Sequence, residues 1–176
     1  MRIIAGWLKS RLIRAPRGHR THPMSEKARG ALFNMLGDIE GLSVLDAFAG
    51  SGALSIEAIS RGASSAVAID VDKRAYRALT ENIESLQLED KIQAIRANSS
   101  TWAKNTDDMY DLVLLDPPYD DINPLHLYSL AERVLSGGLL VLSIPDHFRP
   151  RFDAKEWDLV STKKYAAANV LVYRRV

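Results

Sequence analysis

The apolar positions of this chain alternate between short continuous runs, which are typical of buried strands, and repeats at helical spacing. The first helical repeat follows Ser25, a suitable N-cap residue, and ends before Gly37. The elements predicted after it are a strand over 42–48, a helix over 52–61, a strand over 65–70, a helix over 73–86, a strand over 91–96, a short helix over 99–104, a strand over 110–116, a helix over 124–135 and a strand over 139–144. Strands that alternate with helices predict a parallel sheet with helices on both faces.

The two ends of the chain depart from this alternation. Runs over 157–164 and 169–175 predict two strands joined by a short turn, and therefore an antiparallel hairpin. Residues 2–5 and 11–15 are short apolar and basic runs that predict a second, smaller hairpin. We therefore expect an α/β, Rossmann-like fold with a mostly parallel seven-stranded sheet, a C-terminal antiparallel hairpin and a small N-terminal β-hairpin arm. We divide the chain into a basic arm over 1–22 and a Rossmann-like domain over 23–176.

The amino-acid composition excludes several classes of protein and of functional site. The 176 residues are 47% hydrophobic and 26% charged, which is typical of one globular domain. Because the chain has no cysteine, disulfide scaffolds, thiolate metal sites and cysteine nucleophiles are excluded. The four histidines show no metal-ligand spacing, so we expect no metal. No apolar run approaches the roughly 18 residues that span a bilayer, so we expect no membrane partner and a cytoplasmic location.

The net charge of +1 conceals an asymmetry along the chain. Residues 1–25 carry six basic side chains and no acidic one, whereas the remainder carries 17 basic and 22 acidic side chains. A basic segment on an acidic body is suited to a polyanion, although a solvated basic surface without a partner explains the charge equally well. If the polyanion is RNA, the residues expected to bind it are Arg11, Arg14 and Arg17 in the arm and Arg149 beyond the fifth core strand.

A glycine-rich turn joins the first core strand to its helix. Asp46 ends the strand, and Gly50 and Gly52 precede the helix, an arrangement typical of nucleotide sites at the carboxyl edge of a parallel sheet. The dinucleotide fingerprint requires a third glycine where Ser55 stands, and the lysine of a P-loop is absent. A carboxylate at position 46 would repel a pyrophosphate but can accept a hydrogen bond from an ammonium group. The turn therefore favours S-adenosylmethionine over a dinucleotide.

A second carboxylate, Asp70, ends the next strand. At this place a carboxylate can accept hydrogen bonds from both hydroxyl groups of an adenosine ribose. An aspartate that only forms a turn is also common at a strand end, but the glycine loop after the neighbouring strand favours the ribose.

The sharpest motif is Asp116-Pro117-Pro118-Tyr119, which follows the buried run over 110–116. The prolines have no N–H, so their carbonyl groups can point into a cleft. A carboxylate and a carbonyl together can accept both hydrogens of an exocyclic amine, while Tyr119 offers a ring face to an extruded base. A proline turn with a tyrosine packed at its rim is the alternative. The position of the motif, after the fourth strand of a fold with a cofactor loop after the first, favours the catalytic interpretation.

Together these segments resemble the RsmD family of small-subunit ribosomal RNA (guanine-N2)-methyltransferases over nearly the whole chain. The resemblance is carried by RIIAGWLKSRLI at the start, HPMSEKARGALFNML before the first core strand, DAFAGSGALSIEAISRGA at the cofactor loop and LLDPPY at the tetrad. The chain departs from the usual residues of the family at Ala5, His22, Met24, Ser25, Gly30 and Asp70.

The resemblance implies a class I methyltransferase that moves a methyl group from S-adenosylmethionine to the exocyclic N2 of a guanine in small-subunit ribosomal RNA, either free or within an assembled subunit. The implied cofactor-binding residues are Ser25, Asp46, Gly50, Gly52, Ala53, Asp70, Asn98 and Ser99. The implied catalytic residues are Asp116, Pro117, Pro118 and Tyr119. We expect a monomer. An adenine-N6 methyltransferase acting on DNA or RNA through the same tetrad stays open, as do a non-catalytic RNA-binding factor and a nucleotide-dependent oxidoreductase.

Overall fold

The computed structural model describes residues 1–16, 24–165 and 168–176. The elements in these ranges are α1 (Glu26–Leu36), β1 (Ser43–Asp46), α2 (Ala53–Ser60), β2 (Ser65–Asp70), α3 (Lys73–Leu86), β3 (Ile92–Arg96), α4 (Ser99–Lys104), β4 (Tyr110–Leu115), α5 (Pro124–Ala131), β5 (Val134–Pro145), β6 (Trp157–Tyr165) and β7 (Ala168–Arg175). Ser25 caps α1 as predicted, since its side chain accepts a hydrogen bond from the amide of Ala28.

The described strands form one sheet of seven in the order β3-β2-β1-β4-β5-β7-β6. Neighbouring strands from β3 to β5 run parallel, while β7 is antiparallel to both β5 and β6. This confirms the predicted Rossmann-like sheet with a C-terminal antiparallel hairpin. The strand order reverses between β1 and β4, and in open α/β sheets ligands bind in the crevice at the carboxyl ends of the strands beside such a reversal.

Apolar side chains on the two faces of the sheet pack into two cores. In β4, Leu112 and Leu114 contact the core that includes α1, α2 and α3, whereas Val113 and Leu115 contact the core that includes α5. Because both faces are covered, the central strands read as continuous apolar runs rather than as alternating ones. Among the described residues no helix has both the length and the apolar character needed to cross a membrane.

The predicted helix over 124–135 and the strand over 139–144 were bounded incorrectly. α5 ends at Ala131, and β5 already begins at Val134, which pairs with Tyr110 before the register shifts. Gly138 permits this irregular start, because a Cβ there would lie 2.8 Å from the carbonyl oxygen of Asp111. The extra strand length depends on pairing with β4, a contact distant in sequence, and so local periodicity does not reveal it.

The N-terminal residues 1–16 pack onto the domain. Arg2 and Leu12 form an isolated antiparallel bridge, and Ile3, Leu8 and Ile13 are buried in the core beside α1 and α2. The predicted N-terminal hairpin is therefore short, and its buried side chains attach it to the domain. The predicted boundary at residue 22 lies in 17–23, outside the described residues, and the division into arm and domain stays a prediction.

Candidate active site

Three carboxylates follow neighbouring strands at the carboxyl edge of the sheet. Asp46 ends β1, Asp70 ends β2, and Asp116 comes directly after β4. The charges of Asp116 and Asp70 both disfavour ionisation of Asp46, so the three groups share one electrostatic environment. In the part of the chain that the structure describes, no group of His, Asp or Glu side chains is arranged to hold a metal ion.

Asp46 is completely buried. Its Oδ2 accepts hydrogen bonds from the hydroxyl and the backbone amide of Ser55, at 2.6 and 3.2 Å. Its Oδ1 has no hydrogen-bond partner among the described residues. Burial raises the pKa of Asp46 from 3.8 to about 7, and the Ser55 bonds oppose part of this rise. A buried carboxylate with one oxygen unpaired is suited to a cationic ligand group.

The glycine loop follows Asp46 in the chain and is hydrogen bonded to Asp70 through the amide of Gly50. Gly50 and Gly52 have φ of 57° and 79°, backbone conformations that favour glycine. A Cβ at Gly52 would lie 2.5 Å from Leu79, whereas one at Gly50 would meet no atom within 4 Å. The loop is thus packed against α3 at Gly52 and borders open space at Gly50, just before Ala53 begins α2.

Asp70 supports this loop from the next strand. Its Oδ2 accepts from the amide of Gly50 at 2.8 Å, and its Oδ1 accepts from the amide of Asp72 at 2.8 Å. Asp72 in turn caps α3 by accepting from the amides of Arg74 and Ala75. The predicted contact of Asp70 with a ribose stays a prediction, and the structure adds that this side chain holds the glycine loop.

The tetrad is anchored through Ser143, a buried residue of β5. The hydroxyl of Tyr119 lies 2.7 Å from the Ser143 hydroxyl. Burial raises the pKa of Asp116 from 3.8 to about 6, and a hydrogen bond from Ser143 lowers it in part. Burial also raises the pKa of Tyr119. Pro117 is buried and Pro118 is exposed, so the tetrad runs from the core to the surface.

The sequence analysis missed Ser55 and Ser143 as supporting residues. Each is a serine within a buried segment that is mostly apolar, ALSIEAIS of α2 and LLVLSIP of β5. A buried polar side chain needs a hydrogen-bond partner, so a serine within a mostly apolar segment was the signal from which these two residues could have been identified. Each donates to one of the two carboxylates that the sequence did single out.

Asn98 and Ser99 begin α4 at the end of β3. Asn98 is exposed, and its side-chain oxygen caps the helix by accepting from the amide of Thr101 at 3.0 Å. Ser99 is buried, and its Oγ lies 3.0 Å from Nε2 of His126 on α5. The His126 ring packs 5.4 Å from the Phe48 ring, and burial lowers the pKa of His126. The predicted cofactor role of Asn98 and Ser99 stays a prediction.

A buried ionic network that sequence reasoning missed connects the N-terminal residues, α1 and α2. The Glu57 carboxylate accepts from the amides of Ile4 and Ala5 and from Nε of Arg29 and Arg61. Arg29 is fully buried and also donates to the carbonyl of Arg2. Glu57 is the single charged residue of α2, a helix that is buried along its whole length, and this was the available signal, since a buried charge requires partners. The network holds α1, which Ser25 begins, against the helix that follows the glycine loop.

Asn82 of α3 connects the glycine loop to the N-terminal segment and was also missed. Its amide group donates to the carbonyls of Ser51 and Arg14, each at 2.9 Å, and its oxygen accepts from the Arg14 amide at 2.8 Å. Asn82 is buried, so these three bonds satisfy its main hydrogen-bonding groups.

Three of the four residues predicted to bind RNA lie in the part of the chain that the structure describes. Arg11 and Arg14 are exposed on the N-terminal segment. Arg149 is exposed and donates to the carbonyls of Asp146 and Phe148 in its own turn. Arg17 lies outside the described residues. Binding of RNA by these side chains stays a prediction.

Comparisons with known proteins bear on the family and the fold of this chain. The family model described as conserved hypothetical protein 95 matches residues 1–174. The putative rRNA methyltransferase YlbH of Bacillus subtilis is 31% identical over 99% of both chains. Ribosomal RNA small subunit methyltransferase D of Buchnera aphidicola subsp. Acyrthosiphon pisum is 38% identical over 66% of this chain and 62% of that protein. Among solved structures, the putative methyltransferase yhhF from Escherichia coli superposes with a TM-score of 0.88 at 26% identity, covering 99% of this chain and 97% of the other.

Proposed function

This chain belongs to the RsmD family, whose model carries the description conserved hypothetical protein 95, and from that premise we propose that it methylates small-subunit ribosomal RNA. The family resemblance drawn from the sequence is thereby confirmed. The sheet order and the solved relatives identify the fold as a Rossmann-like class I methyltransferase. Relatives named as small-subunit ribosomal RNA methyltransferases support the substrate. The finer proposal is transfer from S-adenosylmethionine to the exocyclic N2 of a guanine.

The observation that carries the proposal is the pair of carboxylates at the ends of β1 and β4, where the strand order reverses: Asp46 is buried, Asp116 is partly exposed, and both have raised pKa values. Asp46 keeps Oδ1 unpaired, and this orphaned acceptor fits the ammonium group of S-adenosylmethionine. The open space at Gly50 leaves room beside the loop for the rest of the amino-acid portion. In this proposal Asp70 accepts hydrogen bonds from the ribose hydroxyl groups, Asn98 and Ser99 lie at the adenine edge, and Ser25 and the helix that it starts close over the cofactor.

Asp116 orients the nucleophile. Its carboxylate accepts one N–H of the target amine, and the carbonyl of Pro117 or Pro118 accepts the other. Tyr119 stacks on the base, and the bond between its hydroxyl and Ser143 fixes the ring. When bound, S-adenosylmethionine would supply an electrophilic methyl group: the amine nitrogen would form the new N–C bond in line with the C–S bond that breaks, and S-adenosylhomocysteine would leave. Positioning contributes most of the rate, and an Asp116 carboxylate with a pKa of about 6 can take up the proton that the nitrogen then releases.

The decisive experiment identifies the methylated nucleoside. The purified chain is incubated with S-adenosylmethionine and either a bacterial small-subunit ribosomal RNA transcript or small ribosomal subunits, and the digested RNA is analysed by mass spectrometry. N2-methylguanosine is expected from at least one substrate, and Asp116→Asn should abolish it while S-adenosylhomocysteine still stabilises the variant against heat. N6-methyladenosine would establish the alternative adenine specificity. A lack of any methylated nucleoside with both substrates would overturn the proposal. A cytoplasmic location and a monomeric state remain predictions of the sequence.

A further inference from the structure

Helix α3 carries its charges in an order that opposes the helix dipole. Lys73, Arg74 and Arg77 occupy its first half and are exposed, whereas Glu81 and Glu84 occupy its second half. Cations are favoured near the C-terminus of a helix and anions near the N-terminus. The Arg77–Glu81 pair also has the less favourable of the two i,i+4 orders. Helix stability therefore does not explain the exposed cations, and such local conflicts are expected at functional surfaces.

A fourth cation is held beside these three by a dedicated contact. Asn82 hydrogen bonds to both the amide and the carbonyl of Arg14, which fixes the Arg14 backbone on α3. The Arg14 guanidinium lies 3.9 Å from Glu81, which also pairs with Arg77 at 2.8 Å. Both arginine side chains are open to solvent, with exposures of 82% and 80%. Glu81 thus lies between the guanidinium groups of Arg14 and Arg77, both of which are exposed.

The first turn of α3 lies at the edge of the sheet that carries the candidate active site. The helix starts three residues after Asp70, whose carboxylate holds Gly50 of the cofactor loop. Asn82, which fixes Arg14, also donates to Ser51 of that loop. Asn82 therefore connects both α3, which carries three of the cations, and Arg14, the fourth, to the glycine loop.

We propose that Arg14, Lys73, Arg74 and Arg77, here named the α3 cationic surface, bind phosphate groups of the RNA substrate beside the cofactor loop. The inference rests on the proposed function and extends the RNA contacts from the N-terminal segment onto the core domain. Exposed Arg and Lys side chains bind phosphates without reading sequence, and so they fix the position of an RNA rather than select it.

The test measures how RNA affinity depends on salt. Filter binding of a labelled bacterial small-subunit ribosomal RNA transcript is followed from low to moderate salt for the wild type and for K73Q/R74Q/R77Q. Each lost phosphate contact reduces the slope of log affinity against log salt by about one unit, so a reduction of about two to three units is expected. The matched control K155Q/K163Q/R174Q loses the same charge from exposed positions elsewhere on the chain and should keep the wild-type slope.

Two further measurements separate the possible outcomes. Calorimetry with S-adenosylhomocysteine should give unchanged affinity in both triple variants, and the melting temperature of K73Q/R74Q/R77Q should not fall, because the substitutions relieve the conflict with the helix dipole. The α3 cationic surface would be overturned if K73Q/R74Q/R77Q bound RNA with the wild-type affinity and salt slope, or if the control variant lost as much of the slope. Either result would leave the proposed function standing. A wild-type chain that neither binds nor methylates the transcript or the assembled subunit would overturn both.

Discussion

Two serine hydroxyl groups stabilise the ionised forms of Asp46, which is buried, and Asp116, which is partly exposed. Ser55 donates to Asp46, and Ser143 donates to Asp116. Burial disfavours ionisation of a carboxyl group, while a hydrogen bond donated to the carboxylate favours it. The pKa values of about 7 and about 6 reflect burial that outweighs these bonds. Both groups consequently titrate near neutral pH, where a protonation change can be measured.

Ser55→Ala should destabilise the protein in a pH-dependent way. At pH 8 the Asp46 carboxylate is mostly ionised, and loss of its donor should lower the free energy of unfolding by about 1–3 kcal/mol. At pH 5 Asp46 is protonated, so the loss should be smaller, because hydrogen bonds to charged acceptors are the stronger ones. Urea unfolding at the two pH values measures both numbers. Ser85→Ala, at an exposed serine, is the control, and equal losses at pH 5 and pH 8 would contradict the role given to Ser55.

Two substitutions of Tyr119 should separate its ring from its hydroxyl group. Stacking on a base contributes about 1–3 kcal/mol, so Tyr119→Ala should lower kcat/KM for RNA by roughly 10–100-fold. Tyr119→Phe keeps the ring and loses only the bond to Ser143, and a reduction of a few-fold is expected. Initial rates of methyl transfer measure both variants. If the phenylalanine variant were as inactive as the alanine variant, the hydroxyl group rather than the ring face would carry the function.

At the scale of elements, Asn82 is a single side chain on α3 that supports two separate segments. Asn82→Ala leaves the Arg14 amide and two carbonyl groups without their partner, and each unsatisfied buried group costs about 1–3 kcal/mol. Because one carbonyl belongs to Ser51 of the glycine loop, which we propose binds the cofactor, the affinity for S-adenosylhomocysteine should fall together with stability. Glu84→Gln, at an exposed position of the same helix, is the control for calorimetry and thermal melting. An unchanged affinity in a folded Asn82→Ala protein would show that the loop holds its shape without this support.

Most helices and strands could be predicted because residues within or next to each element determine where it forms. The bounds of α3 and α4 match the predicted ones, since each has a capping side chain, Asp72 or Asn98, immediately before its first residue. The start of β5 was missed because it depends on pairing with β4, and the first half of that strand shows no continuous apolar run. Contacts between distant segments, rather than propensity, determine such boundaries.

The residues of the candidate site also divide into those that local sequence signals predict and those that depend on contacts between distant segments. The glycine loop and the tetrad could be recognised from the sequence because each is a contiguous motif after a strand. The supports of these motifs come from other elements, since Ser143 lies 24 residues beyond Tyr119 and Asn82 lies 31 residues beyond Ser51. A lone polar residue in an apolar run indicates that a buried partner exists, but the sequence does not identify the partner. Only the folded chain shows that these residues meet at one edge of the sheet.

At the scale of the whole molecule, the folded chain holds protons that the unfolded chain releases. Asp46 and Asp116 have folded-state pKa values of about 7 and about 6 against an ordinary value of 3.8. Between about pH 4 and pH 7 the folded state therefore binds more protons than the unfolded state. Stability contributed by these two groups is present at the acidic end of this window and is lost as the pH rises through it. A ligand cation that pairs with Asp46 would offset the loss by stabilising the ionised form.

Cofactor binding should therefore release a proton below neutral pH. If the ammonium group of S-adenosylhomocysteine pairs with ionised Asp46, the pKa of about 7 predicts that affinity falls about tenfold between pH 8 and pH 6. Calorimetry in two buffers with different ionisation enthalpies measures both the affinity and the proton release. Methylthioadenosine lacks the amino-acid portion, so its affinity should change much less over the same range, and this ligand controls for the titration of Asp116. Asp46→Asn should weaken S-adenosylhomocysteine binding and remove its steeper pH dependence. A parallel pH dependence for the two ligands would mean that the ammonium group is held elsewhere, and that the unpaired oxygen of Asp46 faces a different part of the cofactor.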